Sequence, residues 1–223
     1  MLRQTIAGWA AAALVAGPSF ASAETHGLAS KGELILGADR LFRLIEYAAV
    51  SQGSGTSSST DKTTSISLFG GTGSVFYNLP RLAFDYAVTD NLTIGGAAFA
   101  HFTLSSTTSS GGGPSNDTSK IRLLGVAPRI GYVLPLSSSI WFWPRAGITY
   151  DVLTISQPTG TSSSLSQFAA NVEAMFVFSP VEHVGITLGP AVDVPISGSL
   201  SGGPPTDTSQ FQVGVTAGLN VWF

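Results

Sequence analysis

The last thirteen residues of the chain alternate between apolar side chains and polar or small ones, which limits the fold more than any other feature. Every odd-numbered position of 211–223 is apolar, whereas the even-numbered positions are polar or small until Trp222. Successive side chains of a β-strand point to opposite faces, so this segment forms one apolar and one polar face as a strand. Alternation over about ten residues is typical of a strand that crosses a membrane within a barrel.

The same alternation recurs upstream and predicts eight strands, an even number as in bacterial barrels. They are 37–50, 82–88, 92–104, 124–134, 140–152, 168–178, 184–196 and 211–223. The composition agrees, because 10% of the residues are charged and 43% are hydrophobic, whereas roughly 25% are charged in an ordinary soluble domain. Outside the extreme N-terminus no apolar run reaches the ~20 residues of a helical span. We predict an all-β fold, an eight-stranded antiparallel up-and-down transmembrane β-barrel.

The first strand needs an irregularity, because neither parity keeps both Arg43 and Glu46 away from lipid. A bulge adds one residue and reverses the alternation beyond it. We therefore expect a bulge at Leu44 and Ile45, with Arg43 and Glu46 both inward.

The connections between the predicted strands alternate in length and predict the orientation. Three are short, at 89–91, 135–139 and 179–182, and four are long, at 51–74, 105–120, 155–165 and 197–209. Bacterial barrels have short periplasmic turns and long external loops, so both termini are expected in the periplasm. The long connections are rich in Ser, Thr, Gly and Pro and are expected to be flexible polar coil.

The N-terminus has the features of a secretory signal peptide. Arg3 precedes a short apolar core at 6–16, and Ala21 and Ala23 form an A-x-A cleavage site. We expect residues 1–23 to be removed, 24–32 to form a periplasmic N-terminal segment, and 33–223 to form the barrel. Loss of Arg3 changes the net charge from −3 to −4. The chain therefore lacks the basic surface that nucleic-acid binding requires.

Charges of both signs occupy the inward positions of the predicted strands. They are Arg43, Glu46, Arg81, Asp85, Arg129, Arg145, Asp151, Glu173 and Asp193. A turn centred on Ser137 would place Arg129 opposite Arg145, with Glu173 diagonal to Arg145. We interpret the set as a buried ion network that fills the lumen, since buried charges are usually paired. The alternative is an Arg constriction that selects anions.

Other inward residues are interpreted as structural. Trp141, Trp143 and Trp222 either cap the lumen near the periplasmic rim or belong to the interfacial aromatic girdle. Inward Gly residues would leave room for the Arg and Trp side chains. Three Pro residues lie within strands, where each removes a ladder donor, so we expect bulges at Pro128, Pro144 and Pro190.

With these strands, connections and the ending Val221-Trp222-Phe223, the chain resembles the small eight-stranded outer-membrane barrels, the OmpA/OmpX-like group, over essentially all of 33–223. The resemblance implies a signal read by the barrel assembly machinery at alternate C-terminal positions: Val215, Ala217, Leu219, Val221 and Phe223. It also implies the outer membrane of a Gram-negative bacterium as the location. The group includes anchors, adhesins and lipid-modifying enzymes, so the resemblance leaves the function open.

The sequence offers few residues for catalysis or metal binding. Outer-membrane lipid A deacylases carry a lipid-facing His-x-Ser, whereas here His101 is followed by Thr103 and both have inward parity. No paired-His metal spacing or calcium-loop pattern appears. We therefore assign no catalytic, cofactor-binding or metal-binding residue, and expect no cofactor.

The expected partners are outer-membrane lipids and lipopolysaccharide, besides the assembly machinery, for a chain that acts as a monomer. Lys62, Lys120 and Arg122 lie near the predicted external rim, where cations pair with lipopolysaccharide phosphates. The expected role is non-enzymatic, structural or in surface interaction. The alternatives are a narrow channel for small or apolar solutes and a lipid-modifying enzyme.

Overall fold

Antiparallel strands close into a ring in the computed structural model of the chain. It describes residues 27–54, 57–66, 79–103, 120–157, 162–202 and 206–223. The predicted cleavage site at Ala21 and Ala23 lies outside these residues, as does nearly all of the 105–120 connection. Within the described ranges, no helix is long and apolar enough to cross a bilayer.

Ten strand segments make up the sheet. They are β1 (Leu34–Ser54), β2 (Ser57–Ile66), β3 (Arg81–Thr89), β4 (Leu92–Phe102), β5 (Lys120–Tyr132), β6 (Leu134–Ser137), β7 (Ile140–Ser156), β8 (Ser162–Val181), β9 (Val184–Ser201) and β10 (Thr206–Trp222).

These ten segments occupy eight positions around the ring. The order β1-β3-β4-β5-β7-β8-β9-β10 is closed by pairing of β10 with β1. β2 pairs with the later half of β1, and β3 with its first residues, so β2 and β3 share one position. β6 pairs with β7 beyond the end of β5. The predicted eight-stranded antiparallel barrel is confirmed.

Burial follows the alternation of the sequence. On β3, Leu82, Phe84 and Tyr86 are exposed by 77%, 54% and 44%, whereas Arg81 and Asp85 are buried. The large side chains therefore point out of the barrel and the charges point in. On β7, the outward side chains remain apolar or aromatic from Ile140 to Val152, which spans roughly 40 Å along the strand. A tilt of ~40° reduces this to about 30 Å, which matches a bilayer core.

β1 departs from regular pairing at two places. A register shift between Arg43 and Ile45 is the predicted bulge, and both Arg43 and Glu46 are buried. A second shift between Ala38 and Phe42, with Arg40 at φ 55°, has no counterpart among the predictions. This second irregularity matters for the lumen because it changes the facing of Arg40.

The predicted bulges at Pro128, Pro144 and Pro190 are wrong. Pairing on both sides of each of them continues without a register shift. A strand residue directs its N–H toward one neighbour only, so a Pro removes one ladder bond without requiring an extra residue. The two irregularities between β8 and β9 lie elsewhere, where Phe168 and Ala169 face Ser197 and Pro195, and between Phe178 and Val181.

Three of the four connections predicted as coil contain paired strand. β1 and β2 extend into 51–74, β7 and β8 into 155–165, and β9 and β10 into 197–209. Cross-strand hydroxyl pairs accompany the pairing, as between Ser51 and Thr60 at 3.0 Å. Ladder bonds satisfy the backbone whatever the side chains are, so Ser- and Thr-rich composition did not prevent strand formation. The predicted 179–182 turn also shifts, because β8 continues to Val181 and the turn lies at Glu182 and His183.

Inward Gly residues leave room for large rings, and Gly125 offers a test. A Cβ at Gly125 would collide with the Phe99 ring from β4. We expect Gly125→Val to lower the free energy of unfolding by about 1–3 kcal/mol through overpacking. Urea unfolding in lipid vesicles measures this. Ala100→Val, on the outward face of β4, is the control and should change stability little; equal losses for both would contradict the packing argument.

Candidate functional site in the barrel lumen

All nine charged residues predicted to face inward are buried. Arg43, Glu46, Arg81, Asp85, Arg129, Arg145, Asp151, Glu173 and Asp193 are each at most 8% exposed. Two further buried charges, Asp39 and Arg40, were not predicted. The buried set therefore has five Arg and six carboxylates among the described residues.

Asp39 and Arg40 are both inward because they lie within the second irregularity of β1, between Ala38 and Phe42. A regular strand would place adjacent residues on opposite faces, with one of these charges against lipid. The left-handed conformation of Arg40 (φ 55°) is uncommon for a residue with a side chain. Two adjacent charges in a membrane-spanning strand were the signal that could have identified this irregularity.

Arg40 reaches across the lumen to two carboxylates on the far wall. Its Nε and Nη2 donate to Glu173 Oε1 at 3.1 and 2.8 Å. Its Nη1 donates to Asp193 Oδ2 at 2.7 Å. Charge-assisted bonds to two acceptors hold the guanidinium in one orientation. The contacts join β1 to β8 and β9.

Arg129 and Arg145 are held by the same group of carboxylates. Arg129 Nε donates to Asp85 Oδ1 at 3.0 Å, and its Nη1 donates to Asp39. Arg145 Nη2 lies 2.7 Å from Glu173 Oε2, and its Nη1 lies 3.3 Å from Asp39 Oδ1. Asp39 therefore lies between the two Arg side chains and contacts both.

The prediction that Arg129 and Arg145 lie directly opposite each other is wrong. Arg129 pairs with Gly147, and Arg145 pairs with Gly131. Each Arg thus faces a Gly, which avoids like charges directly opposite each other. Glu173 is the direct partner of Arg145 in the β7–β8 register, rather than a diagonal neighbour.

These contacts connect into a single network across the barrel. The network includes residues from six of the eight strand positions. They are Asp39, Asp85, Arg129, Arg145, Glu173, Arg40 and Asp193. A cavity beside Arg40 and Arg43 measures about 10 Å³, which is at most the space for one water. With carboxylates on each of its Arg residues, the network favours a filled lumen over an anion-selective constriction.

The remaining inward charges lie around this network. Arg43 Nη1 is 3.1 Å from Glu46 Oε2, and Gln212 Nε2 donates to Glu46. The Arg81 guanidinium lies 4.7 Å from the Phe99 ring centre, a favourable cation–π distance. Neither carboxylate oxygen of Asp151 has a hydrogen-bond partner among the described residues.

The side chains of Trp141, Trp143 and Trp222 face inward and close the end of the barrel where β1 begins and β10 ends, here called the terminal end. Trp143 and Trp222 are fully buried, and the rings of Trp141 and Trp222 meet edge to face at 6.0 Å. Trp143 Nε1 donates to Thr93 Oγ1 at 3.2 Å, and the Arg145 guanidinium lies 4.8 Å from the Trp143 ring centre. The structure thus has the capping arrangement rather than the girdle.

The segment before β1 completes this cap. Leu28 and Ala29 are buried in the same apolar cluster as the Trp rings. The Asn91 N–H donates to Ala29 O at 2.9 Å, and the Lys31 N–H donates to Asp90 Oδ1 at 2.9 Å. The described part of the predicted 24–32 segment therefore lies across the terminal end.

The other predicted residues lie outside the lumen network. Lys62, Lys120 and Arg122 are exposed near the opposite, loop end of the barrel. Val215, Ala217, Leu219, Val221 and Phe223 have outward parity on the last strand and at the C-terminus, and Phe223 is 70% exposed. His101 Nε2 lies 3.5 Å from Thr103 Oγ1, at the limit of a hydrogen bond. No group of three or more metal-ligating side chains occurs within the described ranges.

Comparison with known proteins places the fold among outer-membrane barrels. No protein-family model matches the sequence, and no curated protein matches it. The outer membrane protein OprG from Pseudomonas aeruginosa has a similar structure, with a TM-score of 0.51 and 14% identity over 87% of this chain and 97% of OprG. The chain therefore has the fold of the small outer-membrane β-barrels.

Two other solved barrels are similar at lower TM-scores. The attachment invasion locus protein Ail of Yersinia pestis has a TM-score of 0.42 and 12% identity, covering 86% of this chain and 99% of Ail. The outer membrane protease OmpT from Escherichia coli has a TM-score of 0.43 and 11% identity, covering 90% and 99%.

Glu173 contacts three Arg residues of the network, so its charge should be critical for stability. It contacts Arg40 and Arg145 at 2.8 and 2.7 Å and Arg129 at 3.8 Å. We expect Glu173→Gln to reduce the free energy of unfolding by about 3–5 kcal/mol, because it leaves buried guanidinium charge uncompensated. Urea unfolding monitored by Trp fluorescence measures the loss. Glu182→Gln is the control, since the Glu182 side chain is 76% exposed; a loss below 1 kcal/mol for Glu173→Gln would contradict the network argument.

Proposed function

We propose that the chain is a non-enzymatic outer-membrane barrel with a closed lumen, whose role is structural or in surface interaction. The observation that carries this proposal is the double closure of the lumen. The ion network around Asp39, Arg40 and Glu173 fills the middle, and the Trp cap closes the terminal end. We expect either layer alone to block a continuous aqueous path.

The orientation in the membrane is part of the proposal. Both termini lie in the periplasm, and the loop end faces outward. Support comes from the tight turns at 90–91, 138–139 and 182–183, which lie at the terminal end. Short periplasmic turns and longer external connections are typical of bacterial barrels.

A surface role is supported by the strand extensions at the loop end. Beyond Val152, β7 continues to Ser156 and pairs there with Ser162 of β8. Serine hydroxyls also pair across strands, as between Ser166 and Ser199 at 2.9 Å. These polar, paired strands extend past the apolar band and would form a collar for contacts outside the membrane.

The alternatives have less support. His101, the one histidine considered for lipid-modifying catalysis, hydrogen bonds weakly to Thr103 and lies on the inward side, away from lipid. A channel would need a path past Arg129 and Arg145, whose guanidinium groups are bound to carboxylates of other strands.

Planar-bilayer conductance of the refolded chain 24–223 tests the closed lumen. We expect no discrete conductance steps, because water has no continuous path. A shift in gel mobility on heating first establishes that the barrel is folded.

A variant separates the two closures. Trp222→Ala opens part of the cap but leaves the ion network, so it should also be silent. Steps with the unmodified chain would overturn the proposal and move the channel to first place. Steps with Trp222→Ala alone would show that the cap, and not the network, is the barrier.

A further inference from the structure

A groove lies on the outer surface of the barrel, within its apolar band. It has a volume of about 360 Å³ and lies over β3, β4 and β5. Its walls are Leu82 and Phe84 of β3 and Val126 and Pro128 of β5. Gly96 and Ala98 of β4 form its floor.

The groove arises from the outward positions of β4. Gly96, Ala98 and Ala100 are small, whereas Ile94 and Phe102 beyond them are large and exposed. A Cβ at Gly96 would lie only 3.0 Å from Pro128 Cα, so Gly permits the close approach of β5 there. The result is an open, apolar depression, which suits a flexible hydrocarbon chain.

Two cations lie on the outward face of β5, the same face that forms one wall of the groove. Arg122 and Lys120 share the outward parity of Leu124, Val126 and Pro128, and both are exposed. Arg122 is paired with Phe102 in the β4–β5 register, and its guanidinium lies 5.9 Å from the Phe102 ring centre. From Val126 to Arg122 the strand rises roughly 13 Å. The cations therefore lie on the loop-end side of the groove, where a bilayer has its headgroups.

The arrangement has the two parts that an anionic lipid needs. Guanidinium and ammonium groups bind phosphate oxygens through charge-assisted bonds, and Arg does so in a bidentate manner. The Phe102 ring supports the guanidinium by a cation–π contact. Within the described part of the chain, neither Arg122 nor Lys120 has an ion-pair partner that would compete with phosphate.

We propose that this surface binds one phosphorylated, multiply acylated lipid, the lipid A part of lipopolysaccharide. One phosphate contacts Arg122 and Lys120, and one acyl chain lies in the groove over Gly96 and Ala98. The choice of lipid A rests on the proposed orientation, since the loop end then contacts the outer leaflet. Lys62 is not part of this site: it lies on β2, paired with Ala49, beyond the apolar band.

Native mass spectrometry of the refolded chain 24–223 tests the site. The detergent-bound barrel is mixed with equal amounts of bisphosphorylated lipid A, dephosphorylated lipid A and phosphatidylglycerol. We expect one bisphosphorylated lipid A per barrel, retained at least ~10-fold over each of the other lipids. That factor corresponds to about 1.4 kcal/mol.

Two pairs of variants distinguish the site from general lipid contact. Arg122→Gln combined with Lys120→Gln should reduce lipid A retention about tenfold, whereas Lys62→Gln removes a cation elsewhere and should not. Ala98→Leu fills the groove and should also reduce retention, whereas Ala170→Leu, on the outward face of β8, should not. Ala98 and Ala170 both face outward, so neither substitution disturbs the lumen.

Three results would overturn the proposed lipid site. Equal retention of dephosphorylated lipid A would show that the cations do not act, and equal retention of phosphatidylglycerol would show only attraction to negative charge. Loss of lipid A retention in Ala170→Leu would show that the groove is not where the acyl chain binds. Failure of the proposed function would instead appear as conductance steps in planar bilayers. Absence of the lipid site alone would produce no such steps.

Discussion

The pairing of Asp39 and Arg40 with charges on other strands is the constraint on which the arrangement of the lumen depends. Arg40 binds Glu173 and Asp193, while Asp39 lies between Arg129 and Arg145. With Asp85, which pairs with Arg129, these contacts tie six strand positions together through the interior. Buried charges are costly unless paired, so the network requires the ring to close in one register.

That requirement explains the irregular geometry of β1. A regular strand cannot direct two adjacent side chains inward, and the shift between Ala38 and Phe42 allows it at the cost of a left-handed Arg40. Close packing explains the glycines opposite Arg129 and Arg145, since a Cβ at Gly147 would meet the Pro128 carbonyl oxygen and a Cβ at Gly131 would meet the Trp143 ring. Long side chains from a few positions thus fill the volume that small residues at other positions leave.

The two faces of the barrel wall serve different purposes. The inner face carries paired charges and aromatic rings, which support the proposed role outside transport. The outer face is apolar and mostly uniform, with the depression over Gly96 and Ala98 as a local exception beside Arg122. Beyond the apolar band, the same strands continue as Ser- and Thr-rich pairs. Interaction with lipid or with external partners would therefore use the outer face and the loop end.

The sequence by itself determined the strand number, the side of the wall that most residues face, and the set of nine buried charges, because lipid and lumen impose opposite polarity at alternate positions. The bulge beside Arg43 followed from the same rule. Only the tertiary structure decided which charges pair, since the Arg129 and Arg145 register depends on the geometry of the turn between β5 and β7. It also decided that the register shift between Ala38 and Phe42 brings both Asp39 and Arg40 into the lumen. The strands likewise accommodate Pro128, Pro144 and Pro190 without a bulge. Pairing across the ring depends on shear and closure, which local alternation does not encode.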